Sequence, residues 1–268
     1  MNNKSIGVFD SGLGGLTAVK SICELMPNEN IVYFGDTARI PYGTKTEDTI
    51  KQYAASDIRF LLSKDVKLIV IACGTASSVA LDDMRKMFET PIVGVVEAAS
   101  RAAVCKTENG KIGVIGTGAT VKSGSYLRAI KELDGGISVY QNACPLFVPL
   151  VENGHFDTEV TRLVIKEYLE KIKDEGVDTL ILGCTHYPLL EKAIGDYMGS
   201  GIKLISPSLE LAKTLGDILG KDNLADETAK GKAEYFVSDD VEGFSKLGGV
   251  FLEKEICGMV QKIDIEKY

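Results

Sequence analysis

Two cysteines sit where a sequence of this kind does chemistry. Leu68-Ile69-Val70-Ile71-Ala72-Cys73-Gly74-Thr75-Ala76-Ser77 and Leu180-Ile181-Leu182-Gly183-Cys184-Thr185-His186 each carry an apolar run into a small-residue turn bearing a thiol. Hydroxyl or imidazole donors follow each thiol directly. In open α/β sheets ligands bind beyond the carboxyl ends of the strands, so both sulfurs are expected at a binding surface. A helix beginning just after each would aim free N–H groups and its positive dipole end at the sulfur and favour a thiolate. The commoner fate of an intracellular cysteine is to pack as a small hydrophobe. That reading is kept for Cys23, Cys105 and Cys257, which fall on predicted helices, while Cys144, before Pro145, is left open.

Three chemistries could use two such thiols. Disulfide exchange is usually served by C-x-x-C, which the chain lacks. Metal binding could draw on Cys73, Cys184 and His186, but with two histidines in the chain no full zinc set stands at recognisable spacing, and no metal is expected. Proton transfer from both sides of one carbon is the third. One group deprotonates, the other reprotonates from the opposite face, and the centre inverts. Thiols suit the task, because a pKa of about 8.5 lies near neutrality and can be lowered locally. Two phosphate-binding readings fail on composition. Gly12-Leu13-Gly14-Gly15 would need glycine at position 17, which is Thr17, and Gly116–Ser123 has Val121 where a phosphate loop requires glycine.

Both turns need a frame to hold them, and short β-rich runs alternating with amphipathic stretches supply it. Ser5–Phe9, Ile31–Phe34, Leu68–Ala72, Ile92–Val96, Ile112–Ile115, Ile137–Tyr140, Thr179–Leu182 and Lys203–Ile205 read as strands. Several are apolar throughout, as in a parallel sheet covered on both faces. Thr46–Ser63 reads as a helix with Ile50, Tyr53, Ala54, Ile58, Leu61 and Leu62 on one stripe; Asp157–Asp174 does so with Val160, Leu163, Val164, Tyr168 and Ile172. The fold class is therefore α/β with parallel sheets. In the tail, Ala233–Val237 and Gly249–Leu252 read as strand fragments and Glu255–Lys262 as a closing helix.

The chain also resembles itself. Gly7-Val8-Phe9-Asp10-Ser11-Gly12 aligns with Gly113-Val114-Ile115-Gly116-Thr117-Gly118, and the first cysteine segment aligns with the second, at nearly equal offsets of 106 and 111 residues. Two matches in the same order point to two related α/β halves, the second beginning near Ala98. Each half then contributes one thiol to a shared surface.

Composition bounds the rest. The 268 residues are 45% hydrophobic and 25% charged, which fits a globular chain long enough to bury a core without disulfide staples. A formal net charge of −8 without a long basic run argues against nucleic acid or an anionic membrane as the main partner. No apolar run reaches the roughly 18 residues of a membrane span, and Met1–Lys4 leads directly into a strand, so a cytoplasmic location without a leader is expected.

Six motifs, taken together, carry a family resemblance: Asp10-Ser11-Gly12-Leu13-Gly14-Gly15, Ile40-Pro41-Tyr42-Gly43, Ala72-Cys73-Gly74-Thr75-Ala76-Ser77, Thr117-Gly118-Ala119-Thr120, Pro145-Leu146-Phe147-Val148-Pro149-Leu150-Val151-Glu152 and Gly183-Cys184-Thr185-His186-Tyr187-Pro188. Their order and spacing resemble those of the cofactor-independent glutamate racemases, from the first strand to the tail. The resemblance implies two similar α/β domains in a pseudo-two-fold relation with the site in the cleft between them. It also implies an N-terminal domain of residues 1–97 completed by 207–268, and a second, inserted domain of 98–206. It implies that Cys73 takes the α-proton of D-glutamate with help from Asp10, and that Cys184 takes that of L-glutamate with help from Glu152 and His186. Ser11, Pro41, Tyr42, Gly43, Gly74, Thr75, Thr117, Thr120 and Thr185 would bind the substrate. No cofactor is implied; a homodimer and a supply of D-glutamate for peptidoglycan are.

The residues also depart from the family. The usual Asn after the first catalytic cysteine is Gly74 here, and Ser206-Pro207-Ser208 stands where many relatives carry an acidic residue. Losing a hydrogen bond to a charged group costs about 1.5–3 kcal/mol. This motivates two alternatives: a racemase of aspartate or another small amino acid, and a catalytically weak regulatory binding protein of the same fold. Restoration of activity by Gly74→Asn is the expectation if the missing amide is the whole difference.

Overall fold

The computed structural model describes residues 4–221, 230–256 and 258–268; Cys257 lies outside them. The chain alternates β1 (Ile6–Asp10), α1 (Leu16–Leu25), β2 (Ile31–Gly35), α2 (Glu47–Leu62), β3 (Leu68–Ile71), α3 (Gly74–Met87), β4 (Ile92–Gly94) and α4 (Val95–Lys106). It continues through β5 (Lys111–Gly116), α5 (Gly118–Ser123), α6 (Ser125–Leu133), β6 (Ser138–Ala143), α7 (Phe147–Glu152), α8 (Glu159–Asp174), β7 (Thr179–Leu182), α9 (Glu191–Met198) and β8 (Lys203–Ile205). The tail adds α10 (Pro207–Lys221), β9 (Ala233–Val237), α11 (Val241–Leu252) and β10 (Val260–Lys262).

Two parallel sheets result, one ordered β10-β9-β2-β1-β3-β4 and one β6-β5-β7-β8. The run β2-β1-β3-β4 repeats as β6-β5-β7-β8, and the self-similar sequence segments fall on the equivalent central strands β1/β5 and β3/β7. Central position explains their composition. Every residue of β1 and β3 is buried, as is all of β7, and each fully buried aliphatic side chain contributes about 1.5–3 kcal/mol. The tail returns to the first sheet, with β9 pairing beside β2 in the register Ile31↔Ala233 to Gly35↔Val237. Among the described residues no helix is long and apolar enough to cross a membrane.

Four expectations from sequence are corrected. Gly249–Leu252 is not a strand but the last turn of α11, whose buried face is Phe244, Gly248, Phe251 and Leu252. That helical spacing emerges only when Phe244 is counted with the short apolar run. Glu255–Lys262 is not a helix: its end is β10, an edge strand that buries Val260 and exposes Gln261 and Lys262. In α8 the buried face is Thr161, Ile165, Leu169 and Ile172, while Val160 and Leu163 are exposed. Two apolar stripes overlap in this segment. The second one faces inward, its Thr161 hydroxyl satisfied by donating to the His155 carbonyl at 2.7 Å. Cys105 is exposed rather than packed, Cys23 is half-buried, and Cys144 is buried.

Candidate active site

The carboxyl ends of β1, β3, β5 and β7 face one cavity of about 380 Å³ between the two sheets. Of the residues expected at a site, Ser11, Pro41, Tyr42, Gly43, Cys73, Gly74, Thr75, Thr117, Glu152, Cys184, Thr185 and His186 line it. Asp10 and Thr120 stand behind the wall. Asp10 ends β1 and is buried; Thr120 is buried in the first turn of α5, its N–H donating to the capping Thr117 hydroxyl at 3.2 Å.

The first thiol sits as its sequence anticipates. Cys73 is the N-cap of α3, and its sulfur accepts from the Ala76 N–H at 3.4 Å and donates to the Ser11 hydroxyl at 3.6 Å. Helix start and serine favour a thiolate, but they do not prevail. Burial, followed by the Asp10 carboxylate, pushes the Cys73 thiol up to about 12. Asp10 is itself pushed above the ordinary carboxylate range by burial. His186, the Gly12 and Gly15 N–H groups and Thr185 pull it back. Its Oδ2 accepts from Gly12 N at 2.9 Å and its Oδ1 from the Thr185 hydroxyl at 3.4 Å. Asp10 therefore reaches from the first sheet to the turn that carries the second thiol.

The second thiol is held differently, which departs from the symmetric expectation. No α-helix begins after Cys184; a short 3-10 helix at Tyr187–Leu190 follows, and its N-cap, His186, makes no side-chain cap bond. Instead the His186 Nδ1 lies 4.0 Å from the Cys184 sulfur, and its Nε2 lies 3.1 Å from Glu152 Oε1. Burial alone would lower His186, but hydrogen bonds to Cys184 and Glu152, then the charges of Cys184 and Asp10, raise it to about 10. A histidine favoured as its cation thus stands beside one thiol, and the buried Asp10 carboxyl beside the other. His186 is buried, with its ring packed edge-on to Phe251 of α11 at 5.6 Å.

The halves meet through small groups. Thr75 and Thr117 share a hydrogen bond of 2.9 Å across the cleft. A Cβ on Gly14 would stand 2.0 Å from the Thr185 hydroxyl oxygen, and a Cβ on Gly74 would stand 2.4 Å from the Gly183 carbonyl oxygen. Gly74 is thus more than the absence of an amide donor. The two cysteine-bearing turns touch backbone to backbone at that point, and the expectation that Gly74→Asn restores activity reverses. Ser208 lies outside the cavity wall; its hydroxyl shares a 3.0 Å hydrogen bond with Thr17 and ties α10 to α1.

Sequence reasoning gives no site role to the apolar wall of Cys144, Pro145, Val148 and Pro149, nor to Ile40, Thr44 and Tyr187, although its motifs include Ile40, Pro145, Val148, Pro149 and Tyr187. Tyr187 had a usable signal, a buried phenol needing partners; its hydroxyl donates toward the Gly116 and Cys144 carbonyls at 3.0 and 2.9 Å. Among the described residues no group of three His, Cys, Asp or Glu is placed to hold a metal ion.

Residues 14–215 match the family model described as Asp/Glu/hydantoin racemase. A glutamate racemase from Geobacter metallireducens is 45% identical over 264 residues, 98% of this chain and 97% of that relative. The crystal structure of glutamate racemase from Francisella tularensis in complex with D-glutamate matches with a TM-score of 0.94 at 39% identity, covering 100% of both chains. That of the Thermus thermophilus glutamate racemase in complex with beta-chloro-D-alanine matches at 0.90 and 41%, again over 100% of both.

Proposed function

The chain belongs to the Asp/Glu/hydantoin racemase family, and from that premise we propose that it interconverts L- and D-glutamate by proton transfer between two cysteines. The observation that carries this reading is the pair of equivalent turns, one from each sheet, that bring Cys73 and Cys184 to one cavity, each with its own ionisable neighbour. Cys184 removes the α-proton of L-glutamate and Cys73 that of D-glutamate, and the thiol not acting as base returns a proton from its own face. His186, held by Glu152, supplies the positive charge that keeps a proton and a thiolate within reach on the Cys184 side. On the Cys73 side the substrate's own ammonium is the missing cation. Its arrival beside Asp10 favours ionisation of a thiol that burial otherwise holds protonated.

Hydroxyls and loop N–H groups do the rest. Ser11, Thr75, Thr117 and Thr185, with the Tyr42–Gly43 turn, offer donors to two carboxylates, and Thr120 fixes Thr117 from behind. Donors of this kind are strongest when preorganised in a site closed to water. We assign residues 1–97 with 207–268 to one domain and 98–206 to the other. The enzyme works as a homodimer in the cytoplasm, where its D-glutamate serves peptidoglycan synthesis.

Incubation with each enantiomer in deuterated water, with a chelator and without added cofactor, tests the reading. Deuterium enters the α-carbon of both D- and L-glutamate. Absence of exchange from either enantiomer overturns the two-thiol mechanism.

A further inference from the structure

Beneath the cavity wall lies a buried charged cluster that the proton transfer itself does not use. The Tyr42 hydroxyl stands 2.6 Å from Asp36 Oδ2 and 2.9 Å from Asp57 Oδ2. Arg39 donates from Nε to Asp36 Oδ2 at 2.6 Å and from Nη2 to Asp57 Oδ1 at 2.7 Å. Ser238 donates to Asp36 Oδ1 at 2.9 Å while accepting from the Ala38 N–H at 2.8 Å. Both carboxyl groups are fully buried. The Arg39 guanidinium also covers the Tyr53 ring at 4.2 Å, and exposed Glu266 lies 3.9 Å from it.

A phenol has one proton, so it donates to one of two carboxyl oxygens. The other contact would then set acceptor against acceptor unless that carboxyl carries a proton. Charge makes the same demand: one guanidinium between two buried carboxylates leaves one of them unpaired, which a dry interior does not tolerate. The donors decide which acid is neutral. Each acid accepts from Arg39 and faces Tyr42, but Asp36 also accepts from Ser238 and has the shorter Tyr42 contact, 2.6 against 2.9 Å, so Asp57 is the acid whose Oδ2 is left to hold the proton.

We propose that Asp57 is a neutral carboxylic acid that donates from Oδ2 to the Tyr42 hydroxyl, which donates onward to Asp36, and that this relay is the positioning device of the Tyr42–Gly43 turn. Burial and the adjacent Asp36 charge push Asp57 well above the ordinary carboxylate range, against the pull of Arg39 and Tyr42, in the direction the proton count requires. The positioning role rests on the racemase reading. Gly43 fits against Thr117 of the opposite half, where a Cβ would stand 2.8 Å from the Thr117 Cβ, and Thr117 in turn bonds Thr75. A turn free to drift would disturb both walls of the cavity.

Infrared difference spectroscopy of wild type against D57N at neutral pH reads the proton without turnover. The C=O stretch of a protonated carboxylic acid is expected in wild type and lost in D57N; a spectrum without that difference overturns the assignment. The introduced amide would offer an N–H to Tyr42 and an oxygen to Arg39, so D57N is expected to keep kcat/KM within about threefold and its near-UV signature. A loss of tenfold or more in folded D57N refutes the neutral acid. Y42F keeps the ring and cuts the relay, and is expected to raise the KM for glutamate about tenfold with a smaller change in kcat. An unchanged KM removes the positioning role. The infrared result stands even if glutamate is not turned over, so failure of the relay and failure of the racemase reading are separable.

Discussion

Gly74 offers the sharpest test of how the two thiols are spaced. A Cβ there meets the Gly183 carbonyl oxygen at 2.4 Å, about 1 Å inside the 3.4 Å at which ordinary contact begins. The neighbour is backbone rather than the end of a flexible side chain, so the strand end or the helix start must shift. Gly74 opens α3, and the Gly183 N–H is bonded to the Ile115 carbonyl at 2.7 Å. Relief by parting the halves moves Cys184 away from Cys73 by a comparable distance. A misplacement of about 1 Å in a catalytic constellation costs about 10²-fold, equal to about 2.7 kcal/mol of transition-state stabilisation. Gly74→Ala and Gly74→Asn are therefore both expected to lower kcat/KM about a hundredfold, measured as racemisation and as α-deuterium exchange. The enantiomers have equal free energies, so kcat/KM must fall equally from the D and L sides, an internal check on the assay. A Gly74→Asn enzyme as active as wild type, or more so, refutes the close approach and returns the question to the missing amide.

Two further perturbations read the asymmetry of the site. Cys73→Ala and Cys184→Ala each remove one of two bases and are expected to cut racemisation by at least about 10²–10⁴-fold; unchanged turnover in either variant ends the two-base assignment. His186 is raised from 6.5 to about 10, so the contacts of its cation stabilise the fold fully below about pH 6.5, and that contribution is lost as pH rises through about 10. The difference in Tm between wild type and His186→Asn should be widest at about pH 6 and narrow toward about pH 10; a difference constant across that range contradicts the imidazolium.

What the residue pattern exposes, and what it hides, follows from the range of the forces involved. Leu68–Ile71 and Leu180–Leu182 are legible because strands buried on both faces read as continuous apolar runs, the buried Thr179 hydroxyl being satisfied by Asp178 at 2.9 Å. The thiols are legible because each ends such a strand. In the tail Ala233–Val237 is legible as the strand β9, but the last turn of α11 and the edge strand β10 are too short for a period to declare itself. His186 beside Cys184 is legible two residues on, but that a helix start serves Cys73 and not Cys184 emerges only in three dimensions. Gly74 shows the same limit from the other side. Alone in sequence it is a lost donor; against Gly183 it is a contact that leaves no room for a side chain.

The pairing of β9 with β2 joins Ile31 to Ala233 across the whole inserted sheet. Contacts so distant in sequence are slow to form, because the intervening loop must close before they repay its entropy. During synthesis the β5–β8 sheet has all its strands by Ile205, while the first sheet still lacks two of its six. The half that supplies Cys184 can therefore fold first and act as the template on which the half that supplies Cys73 is completed. Removing β9 and β10 would unravel the half that supplies Cys73 and spare the half that supplies Cys184.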